Sequence, residues 1–320
     1  MAATASAARR TTGKWTANEI PSQTGKIALV TGANSGIGYQ AALELARHGA
    51  HVLLGCRNAS KGLTALARLK REVPGSLAEV VELDMASLAS VRAFAEAYVG
   101  TGQALDLLIN NAGVMALPKR ELTVDGFERQ FGTNHLGHFA LTGLLMPALL
   151  KAAAPRVVTV SSLAHRNGKI AFDDLQGEKS YVPWDQYNES KLANLMFALE
   201  LERRARKSAS KLVSIPVHPG ISRTNIFENG PGTKDLKAIA VKILAPVMTQ
   251  PDDMGALPTL YAATSPQARG GEYVGPDGFK GFKGYPAVEQ PRPQALDEAV
   301  AKKLWTVSEE LTGVVYPPLS

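Results

Sequence analysis

The chain has 320 residues, a formal net charge of +6 and a hydrophobic content of 45%. This composition is ordinary for a globular protein, and the length allows one large α/β domain or two small ones. The single cysteine, Cys56, excludes an internal disulfide and a multi-cysteine zinc cluster. No apolar run reaches the ~18 residues of a membrane span, and no dense Lys/Arg block is present, so neither an integral membrane segment nor a nucleic-acid partner is expected.

Residues 1–24 are predicted to form a flexible N-terminal segment ahead of a domain spanning residues 25–320. The segment is rich in Ala, Ser, Thr and Arg up to Lys14 and has no acidic residue before Glu19. That composition fits an organelle transit peptide as well as a polar terminus. The apolar core of a secretory signal is missing, so a cytoplasmic location is the favoured prediction.

Apolar strand-like runs alternate with helix-like stretches from residue 25 onward. The predicted strands cover residues 27–31, 51–55, 78–83, 105–110, 156–161, 212–218 and 272–275. The predicted helices cover residues 37–48, 60–73, 88–99, 123–151, 187–207 and 252–263. This alternation predicts a single doubly wound α/β domain, with a parallel sheet of about seven strands, helices on both faces and a cleft at the carboxyl ends of the strands.

The C-terminal part has a different pattern, and residues 276–320 are predicted to form a loop and helix extension. Residues 275–292 are crowded with Gly, Pro, Phe and Lys and are predicted to be a loop. A final helix is predicted over residues 295–310, with Leu304 and Trp305 on its apolar side. It is expected to pack on the sheet edge or over the active site.

A glycine-rich turn joins the first predicted strand to the first predicted helix, and its sequence is Thr31-Gly32-Ala33-Asn34-Ser35-Gly36-Ile37-Gly38. Such a turn, typical of Rossmann domains, places backbone N–H groups and a helix N-terminus against a phosphate. Glycine is needed where a side chain would block the pyrophosphate. The predicted cofactor-binding residues of the turn are Gly32, Asn34, Ser35, Gly36, Ile37 and Gly38. The alternative is a glycine-rich turn without a ligand.

The end of the second strand indicates which dinucleotide is preferred. No Asp or Glu occurs between His51 and Ser60 to bind the adenosine ribose, and Arg57 stands there with Lys61 one turn further on. A guanidinium can bind a 2′-phosphate through two hydrogen bonds, whereas an acid would repel it. We therefore expect NADP(H) to be preferred over NAD(H). The alternative is that Arg57 is a solvated surface charge.

Two further strand ends carry candidate cofactor contacts. Asn111, Ala112 and Gly113 follow the fourth strand, where small and amide residues allow a close approach to an adenine or ribose. Asp84, with its neighbour Met85, follows the third strand and is expected either to bind the adenine edge or to cap the following helix.

Tyr187 and Lys191 are the strongest catalytic candidates. They are four residues apart in a predicted helix, so both project from the same face. A tyrosine of pKa ~10 is a poor acid–base group at neutral pH, and a neighbouring ammonium is expected to lower that pKa. Ser162, just past the fifth strand, lies where the cleft should be and can donate a hydrogen bond to a substrate oxygen.

His135 and His138 lie three residues apart in a predicted helix, which is a spacing that metal ligands can have. No acidic or cysteine partner is nearby in the sequence, so no metal site is predicted.

Together these motifs resemble the short-chain dehydrogenase/reductase superfamily, and within it the retinol dehydrogenase-like reductases. The resemblance extends from about residue 15 to the C-terminus. It implies that Tyr187 is the acid–base residue, that Lys191 lowers its pKa and binds the nicotinamide ribose, and that Ser162, rather than Ser161, orients the substrate. It also implies that Asn134 holds a water in the proton relay.

The resemblance assigns further cofactor contacts. Asn111-Ala112-Gly113 matches the motif that stabilises the central sheet and lines the cofactor site. Pro219, Gly220 and Thr224 match the segment that clasps the nicotinamide carboxamide. Arg57 matches the arginine that selects NADP in retinol-type members. The substrate loop is expected within residues 221–250.

Two departures from the family pattern concern the substrate and the assembly. Ser162 and Tyr187 are 25 residues apart, which is longer than in compact members, and the extra stretch 166–184 could cover the active site or disturb the helical face that many relatives use to dimerise. Membrane-bound retinol dehydrogenases carry an N-terminal hydrophobic anchor that this sequence lacks, so a retinoid substrate is not implied. The resemblance allows a homo-oligomer.

The predicted function is an NADP(H)-dependent oxidoreductase that interconverts a small, apolar carbonyl compound and its alcohol by hydride transfer. One alternative is a reductase of an activated carbon–carbon double bond, as in relatives that share the tyrosine and lysine. The other is a dinucleotide-binding sensor without catalysis.

Overall fold

The computed structural model describes residues 10–11, 13–221 and 249–319. The strands in this part of the chain are β1 (Arg10–Thr11), β2 (Ile27–Thr31), β3 (His51–Cys56), β4 (Ala78–Glu82), β5 (Leu107–Asn110), β6 (Arg156–Val160), β7 (Val213–Val217), β8 (Tyr273–Pro276) and β9 (Pro286–Glu289). They form one sheet in the order β1-β9-β8-β7-β6-β5-β2-β3-β4.

The seven strands from β2 to β8 are parallel, which confirms the predicted doubly wound α/β fold. The order reverses at β2, which pairs with β3 on one side and β5 on the other. In open parallel sheets a ligand cleft forms at the carboxyl ends of the strands beside this reversal. The glycine-rich turn and the segment after β5 therefore meet at one edge of the sheet.

The predicted loop over residues 275–292 is corrected in part, because it contains β9. This strand pairs antiparallel with β8, with Val274 opposite Val288, and also with β1. Ala287 is fully buried and Glu289 nearly so. The strand is short and lies next to a turn rich in glycine and lysine, so the alternation of side chains that is typical of a strand could not be recognised in the sequence.

The N-terminal segment is ordered earlier than the predicted boundary at residue 25. Trp15 and Ile20 are buried in the core, and the Trp15 ring packs edge-on against Tyr261 with centroids 5.4 Å apart. Between them the Thr16 hydroxyl donates to the Glu19 carboxylate at 2.7 Å, at the start of a short 3₁₀ turn. Burial of two large apolar side chains makes this part of the segment integral to the domain rather than flexible.

Helices cover both faces of the sheet, as predicted. They are α1 (Gly36–Arg47), α2 (Ala59–Glu72), α3 (Leu88–Gly100), α4 (Arg129–Phe131), α5 (Gly137–Leu144), α6 (Met146–Leu149), α7 (Pro183–Lys207), α8 (Asp252–Thr264) and α9 (Glu298–Thr312). The apolar residues of α1, α2 and α8 form the core on one face. Those of α3, α5 and α7 form the core on the other.

The helix predicted over residues 123–151 is interrupted and starts later. Residues 123–126 form a turn in which Gly126 has φ +86°, so the helical path begins only at α4. A π-helical turn, Gly132–Leu136, then leads into α5. Such turns are rare and occur mostly within α-helices near functional sites. Here the turn carries Asn134.

The C-terminal helix packs neither on the sheet edge nor over the active site. Trp305 of α9 stacks on Phe197 of α7, with ring centroids 5.8 Å apart. Just beyond α9, the Tyr316 hydroxyl donates to the backbone oxygen of Phe139 on α5 at 2.7 Å. The C-terminal extension therefore covers the outer side of α5 and α7.

Candidate active site

The glycine-rich turn has the backbone geometry that only glycine adopts easily. Gly32 and Gly36 have φ of +69° and +58°. A Cβ atom on Gly38 would lie 2.4 Å from Nδ2 of Asn111 and 2.6 Å from the backbone oxygen of Gly32. The missing side chain at Gly38 thus lets α1 begin directly against the end of β5.

The amino end of α1 suits an anion. Ser35 is the N-cap residue in an extended conformation, and its side chain makes no capping hydrogen bond. Asn34, Ser35 and Gly36 are half-buried, whereas the Ile37 side chain belongs to the core. Backbone N–H groups at a helix start, left without a side-chain cap, form a favourable phosphate site. A dinucleotide pyrophosphate fits this cradle.

Thr31 connects this turn to the predicted motif after β5. Its hydroxyl oxygen accepts hydrogen bonds from the backbone N–H groups of Asn111 and Ala112, each at 2.9 Å. The side-chain amide of Asn111 donates in return to the backbone oxygen of Thr31 at 2.8 Å. The turn and the motif therefore form one rigid unit at the reversal point of the sheet.

Arg57 lies directly after β3, and Lys61 lies in the first turn of α2. Both side chains are exposed, and neither makes an ion pair within the described ranges. Asn58 between them caps α2 by accepting a hydrogen bond from the backbone N–H of Lys61 at 2.9 Å. Both cations are thus available near the end of β3, where the prediction placed the 2′-phosphate.

Asp84 and Met85 follow β4. The Asp84 carboxylate accepts a hydrogen bond from the backbone N–H of Ala86 at 2.9 Å, whereas Ser87 is the residue that caps α3. Met85 is buried, and its backbone oxygen lies 2.3 Å from where a Cβ atom on Gly137 would be. Asp84 thus shapes the turn before α3, and its contact with an adenine stays a prediction.

Tyr187 and Lys191 lie buried on one face of α7, as predicted, at 6% and 5% exposure. The Lys191 Nζ atom is 5.8 Å from the centroid of the Tyr187 ring and donates to the backbone oxygen of Val160 at 3.2 Å. The Ser162 side chain lies next to the Tyr187 phenol. The Ser161 hydroxyl instead donates to the backbone oxygen of Lys191 at 2.7 Å. The structure thus brings together Ser162, Tyr187 and Lys191.

The expected decrease in the pKa of Tyr187 is not found. Burial raises its pKa to about 12, and the neighbouring Ser162 hydroxyl only partly opposes this. Burial also lowers the pKa of Lys191 to about 8. The loss of hydration thus outweighs any stabilisation of the phenolate by the ammonium. At pH 7 Tyr187 is a neutral phenol, which is the form that donates a proton.

Asn134 joins the same group through its side chain. Its Nδ2 donates to the backbone oxygen of Val114 and to the Ser190 hydroxyl, both at 2.9 Å, and its Oδ1 accepts from the backbone N–H of Val114 at 2.8 Å. The side-chain amide is therefore held by the segment after β5 and by Ser190 of α7, and its contact with a relay water stays a prediction.

Gly113 allows these groups to approach each other. A Cβ atom on Gly113 would lie 3.0 Å from Oδ1 of Asn134 and 3.4 Å from Nζ of Lys191. The segment after β5 therefore touches both the predicted relay residue and the predicted lysine. A larger residue at Gly113 would push the motif after β5 away from the predicted catalytic residues.

The segment after β7 is anchored by the C-terminal extension. Gly220 has φ +69°, and its N–H donates to Nδ1 of His218 at 3.2 Å. The backbone N–H of Ile221 donates to the oxygen of Phe282 at 2.8 Å. The side chain of Gln250 donates to the backbone oxygen of Pro219 at 2.8 Å. Thr224 and most of the predicted substrate loop lie outside the described residues.

The extra stretch 166–184 packs beside the N-terminal end of α7. The Tyr181 hydroxyl donates to the backbone oxygen of Leu117 at 2.8 Å, and the Arg120 guanidinium donates to that of Gln176 at 2.8 Å. A polar cleft of about 380 Å³ separates the stretch from α7, and its lining does not include Ser162 or Tyr187.

Trp184 was not predicted as a site residue. Its ring stands edge-on to that of Tyr187 with centroids 6.0 Å apart, and 46% of Trp184 is exposed. Its position three residues before Tyr187, on the same helix, could have indicated this contact from the sequence. Ser190, which binds Asn134, was also missed, because no local pattern marks it.

The described ranges contain no group of three His, Cys, Asp or Glu side chains that could hold a metal ion. His135 and His138 diverge, because Nε2 of His135 meets the Ser308 hydroxyl and Nε2 of His138 meets that of Thr31, both at 2.9 Å. Across the same ranges no helix combines the length and apolar character needed to cross a membrane.

Sequence comparison places these features in a known family. The sequence profile of the short chain dehydrogenase family matches residues 26–234. Retinol dehydrogenase 14 of Homo sapiens is 42% identical over 307 residues, covering 91% of this chain and 87% of that protein. Retinol dehydrogenase 13 of Homo sapiens is 39% identical over 297 residues, covering 92% and 86% respectively.

Comparison with solved structures supports the same fold. The crystal structure of an uncharacterized protein from Mycobacterium paratuberculosis has a TM-score of 0.79 and 42% identity, covering 95% of this chain and 99% of that one. A short chain dehydrogenase from Shigella flexneri complexed with NADP shares the fold, with a TM-score of 0.60, 24% identity and coverage of 78% and 96%. The chain therefore belongs to the short-chain dehydrogenase/reductase family, in its retinol dehydrogenase-like subgroup, and is an oxidoreductase acting on CH–OH groups with NAD(P).

Proposed function

We propose that this enzyme prefers NADP(H) and interconverts a small apolar carbonyl compound and its alcohol, with Tyr187 as the acid–base residue. The observation that carries the proposal is that the half-buried Ser162 and the buried Lys191 both lie close to the buried Tyr187 phenol. A neutral phenol beside a second hydroxyl can donate a proton to a carbonyl oxygen.

The glycine-rich turn and the motif after β5 would hold the dinucleotide. The cradle at Gly36 would bind the pyrophosphate, and the exposed Arg57 and Lys61 would bind a 2′-phosphate. When bound, the nicotinamide ring supplies or accepts the hydride. The arginine supports a preference for NADP(H), because an acid at this position would be needed to bind the unphosphorylated ribose.

The chain's own residues manage the proton. The Ser162 hydroxyl is placed to orient the carbonyl oxygen by hydrogen bonding, and Tyr187 donates its phenolic proton to that oxygen during reduction. The Lys191 ammonium, 5.8 Å from the ring, stabilises the phenolate that remains. The donated proton leaves with the alcohol product, so a proton from solvent must then restore the Tyr187 phenol, and Asn134 is the predicted contact for the water that passes it on.

Trp184 supports an apolar substrate. Its half-exposed ring next to Tyr187 offers an apolar wall beside the reacting atoms. The retinol dehydrogenase relatives are named for an apolar isoprenoid alcohol, so retinaldehyde belongs among the compounds to be tested on this enzyme.

The test is a panel of aldehydes, ketones and enones offered with NADPH or NADH to the purified full chain, with cofactor oxidation and products both measured. Alcohol products formed faster with NADPH are the expected result. Saturated ketones from enones would instead assign a carbon–carbon double-bond reductase. Tight NADPH binding without oxidation across the panel would favour a dinucleotide sensor and contradict the proposal.

A further inference from the structure

His138 lies at the second position of α5 and is 1% exposed. Its Nδ1 atom is 2.9 Å from the backbone oxygen of Asn134, and its Nε2 atom is 2.9 Å from the hydroxyl oxygen of Thr31. The imidazole therefore spans from the end of β2, where the glycine-rich turn begins, to the π-helical turn that carries Asn134.

These contacts allow only one arrangement of hydrogens. A backbone carbonyl can only accept, so Nδ1 of His138 carries the hydrogen and donates to Asn134. Nε2 then accepts the single hydroxyl hydrogen of Thr31, which is closer to it than to the backbone oxygen of Ile109 at 3.3 Å. The Thr31 oxygen remains free to accept from the two N–H groups of the motif after β5.

The charge state of His138 is consistent with this tautomer. Burial lowers the pKa of His138 to about 4, and the Lys191 ammonium acts in the same direction, while the bond to Asn134 opposes both. The ring is therefore neutral at working pH, and a neutral ring has one donor and one acceptor. Both are used, so His138 holds no proton to transfer.

The two partners of His138 belong to different parts of the site. Thr31 fixes the cofactor-binding turn against the motif after β5. Asn134 carries the side-chain amide that bonds Val114 and Ser190 beside the predicted catalytic residues. The Nδ1–H group of His138 therefore holds the backbone of the π-helical turn at this residue.

We propose that His138 is a positioning residue that couples the cofactor-binding turn to the proton-transfer groups through one neutral imidazole. One half of the bridge, from Nε2 to Thr31, holds the turn that would bind the dinucleotide. The other half, from Nδ1 to the backbone oxygen of Asn134, holds the π-helical turn that carries the predicted relay residue. Only the half of the bridge from Nδ1 to Asn134 rests on the proposed function, whereas the half from Nε2 to Thr31 does not.

Two substitutions of His138 test the two halves of the bridge separately. His138→Asn keeps an amide N–H near the position of Nδ1 and loses the acceptor for Thr31, whereas His138→Gln reaches the position of Nε2 and loses the donor to Asn134. We expect His138→Asn to weaken NADPH binding about 10-fold with kcat nearly unchanged, and His138→Gln to lower kcat about 10-fold with NADPH binding nearly unchanged. His138→Phe loses both contacts and should show both effects.

The matched control is His135→Asn. His135 lies one turn earlier and is equally buried, but its Nε2 atom bonds Ser308 of α9 instead of Thr31. This variant should lower the unfolding temperature, but it should not change either kcat or the NADPH Kd selectively. The apparent pKa of kcat should also move in His138→Gln and stay unchanged in His135→Asn, because only the first releases the backbone oxygen of Asn134 from its side-chain hydrogen bond.

The proposal would be overturned if His138→Asn and His138→Gln lost kcat and NADPH affinity to the same extent, in proportion to the decrease in their unfolding temperatures. It would also be overturned if both variants kept the wild-type kcat and NADPH Kd. If His138→Phe does not fold, His138→Asn and His138→Gln still test the proposal. If the wild-type chain binds NADPH but turns over no carbonyl compound, the proposed function fails. In that case the bridge to Thr31 can still be tested by comparing the NADPH Kd of the two variants, and weaker binding in His138→Asn than in His138→Gln would support it.

Discussion

The side chain of Ser162 lies next to the phenol of Tyr187, while the hydroxyl of the preceding Ser161 turns away and donates to the backbone of Lys191 at 2.7 Å. Successive residues of an extended chain point to opposite sides, so two adjacent serines have opposite environments. One faces the cleft and the other fixes the helix that carries the catalytic candidates.

Replacing these two serines by alanine should give different results. Ser162→Ala removes a hydrogen-bond donor to the reacting oxygen and should lower kcat about 100-fold or more. Ser161→Ala removes one buried hydrogen bond and should lower the free energy of unfolding by about 1 kcal/mol, with kcat changed only a few-fold. Steady-state kinetics and thermal unfolding of both variants make the test. The assignment fails if Ser161→Ala is the more damaging to kcat.

The reductive reaction should slow as pH rises through about 8. Burial lowers the pKa of Lys191 to about 8, so the ammonium is present below that pH and lost above it. Its loss removes the charge that stabilises the phenolate left on Tyr187 after proton donation. Since the pKa of Tyr187 is about 12, the phenol itself persists throughout this range. A pH profile of kcat measures this, and a reductive rate that increases from pH 7 to 9.5 would contradict it.

Arg57→Asp should reverse the dinucleotide preference. A hydrogen bond to a charged group contributes about 1.5–3 kcal/mol, so losing it should lower the ratio of kcat/KM for NADPH over NADH by about 10- to 100-fold. Arg71→Asp makes the same charge change at the far end of α2 and serves as the control. An equal shift in both variants would assign the effect to net charge rather than to a contact at Arg57.

Trp184→Ala should change which substrates are accepted. The ring exposes apolar surface beside Tyr187, so its loss should raise KM about 10-fold for long aliphatic or aromatic aldehydes and leave short ones nearly unchanged. Trp184→Phe keeps an aromatic wall and should retain most of the preference. Kinetics across a series of aldehyde lengths measures this. Equal losses for short and long aldehydes would show that Trp184 supports Tyr187 rather than the substrate.

The seven parallel strands could be predicted because buried parallel strands are nearly continuous apolar runs, as in Leu29 and Val30. The short antiparallel strand β9 could not, since it has four residues and follows a glycine-rich turn. Tyr187 and Lys191 were found because their spacing is local. The contact between Thr31 and His138 joins residues 107 positions apart, and nothing local in the sequence indicates it.

The pKa of Tyr187 shows a second limit of the sequence. The spacing correctly placed Lys191 close to the ring, but the sequence does not reveal that both groups are almost fully buried. Burial acts on each group separately and here determines the direction of both pKa changes.

The most direct test of the account is Tyr187→Phe, assayed for NADPH oxidation with an aldehyde that the wild type reduces and for NADPH binding by titration. Tyr98→Phe, whose hydroxyl bonds the backbone of Ala104 away from the site, is the matched control. The account predicts a loss of kcat on the order of 1000-fold with an unchanged NADPH Kd, and near-normal kinetics in the control. Tyr187→Phe with wild-type turnover would contradict the assignment of Tyr187 as the proton donor.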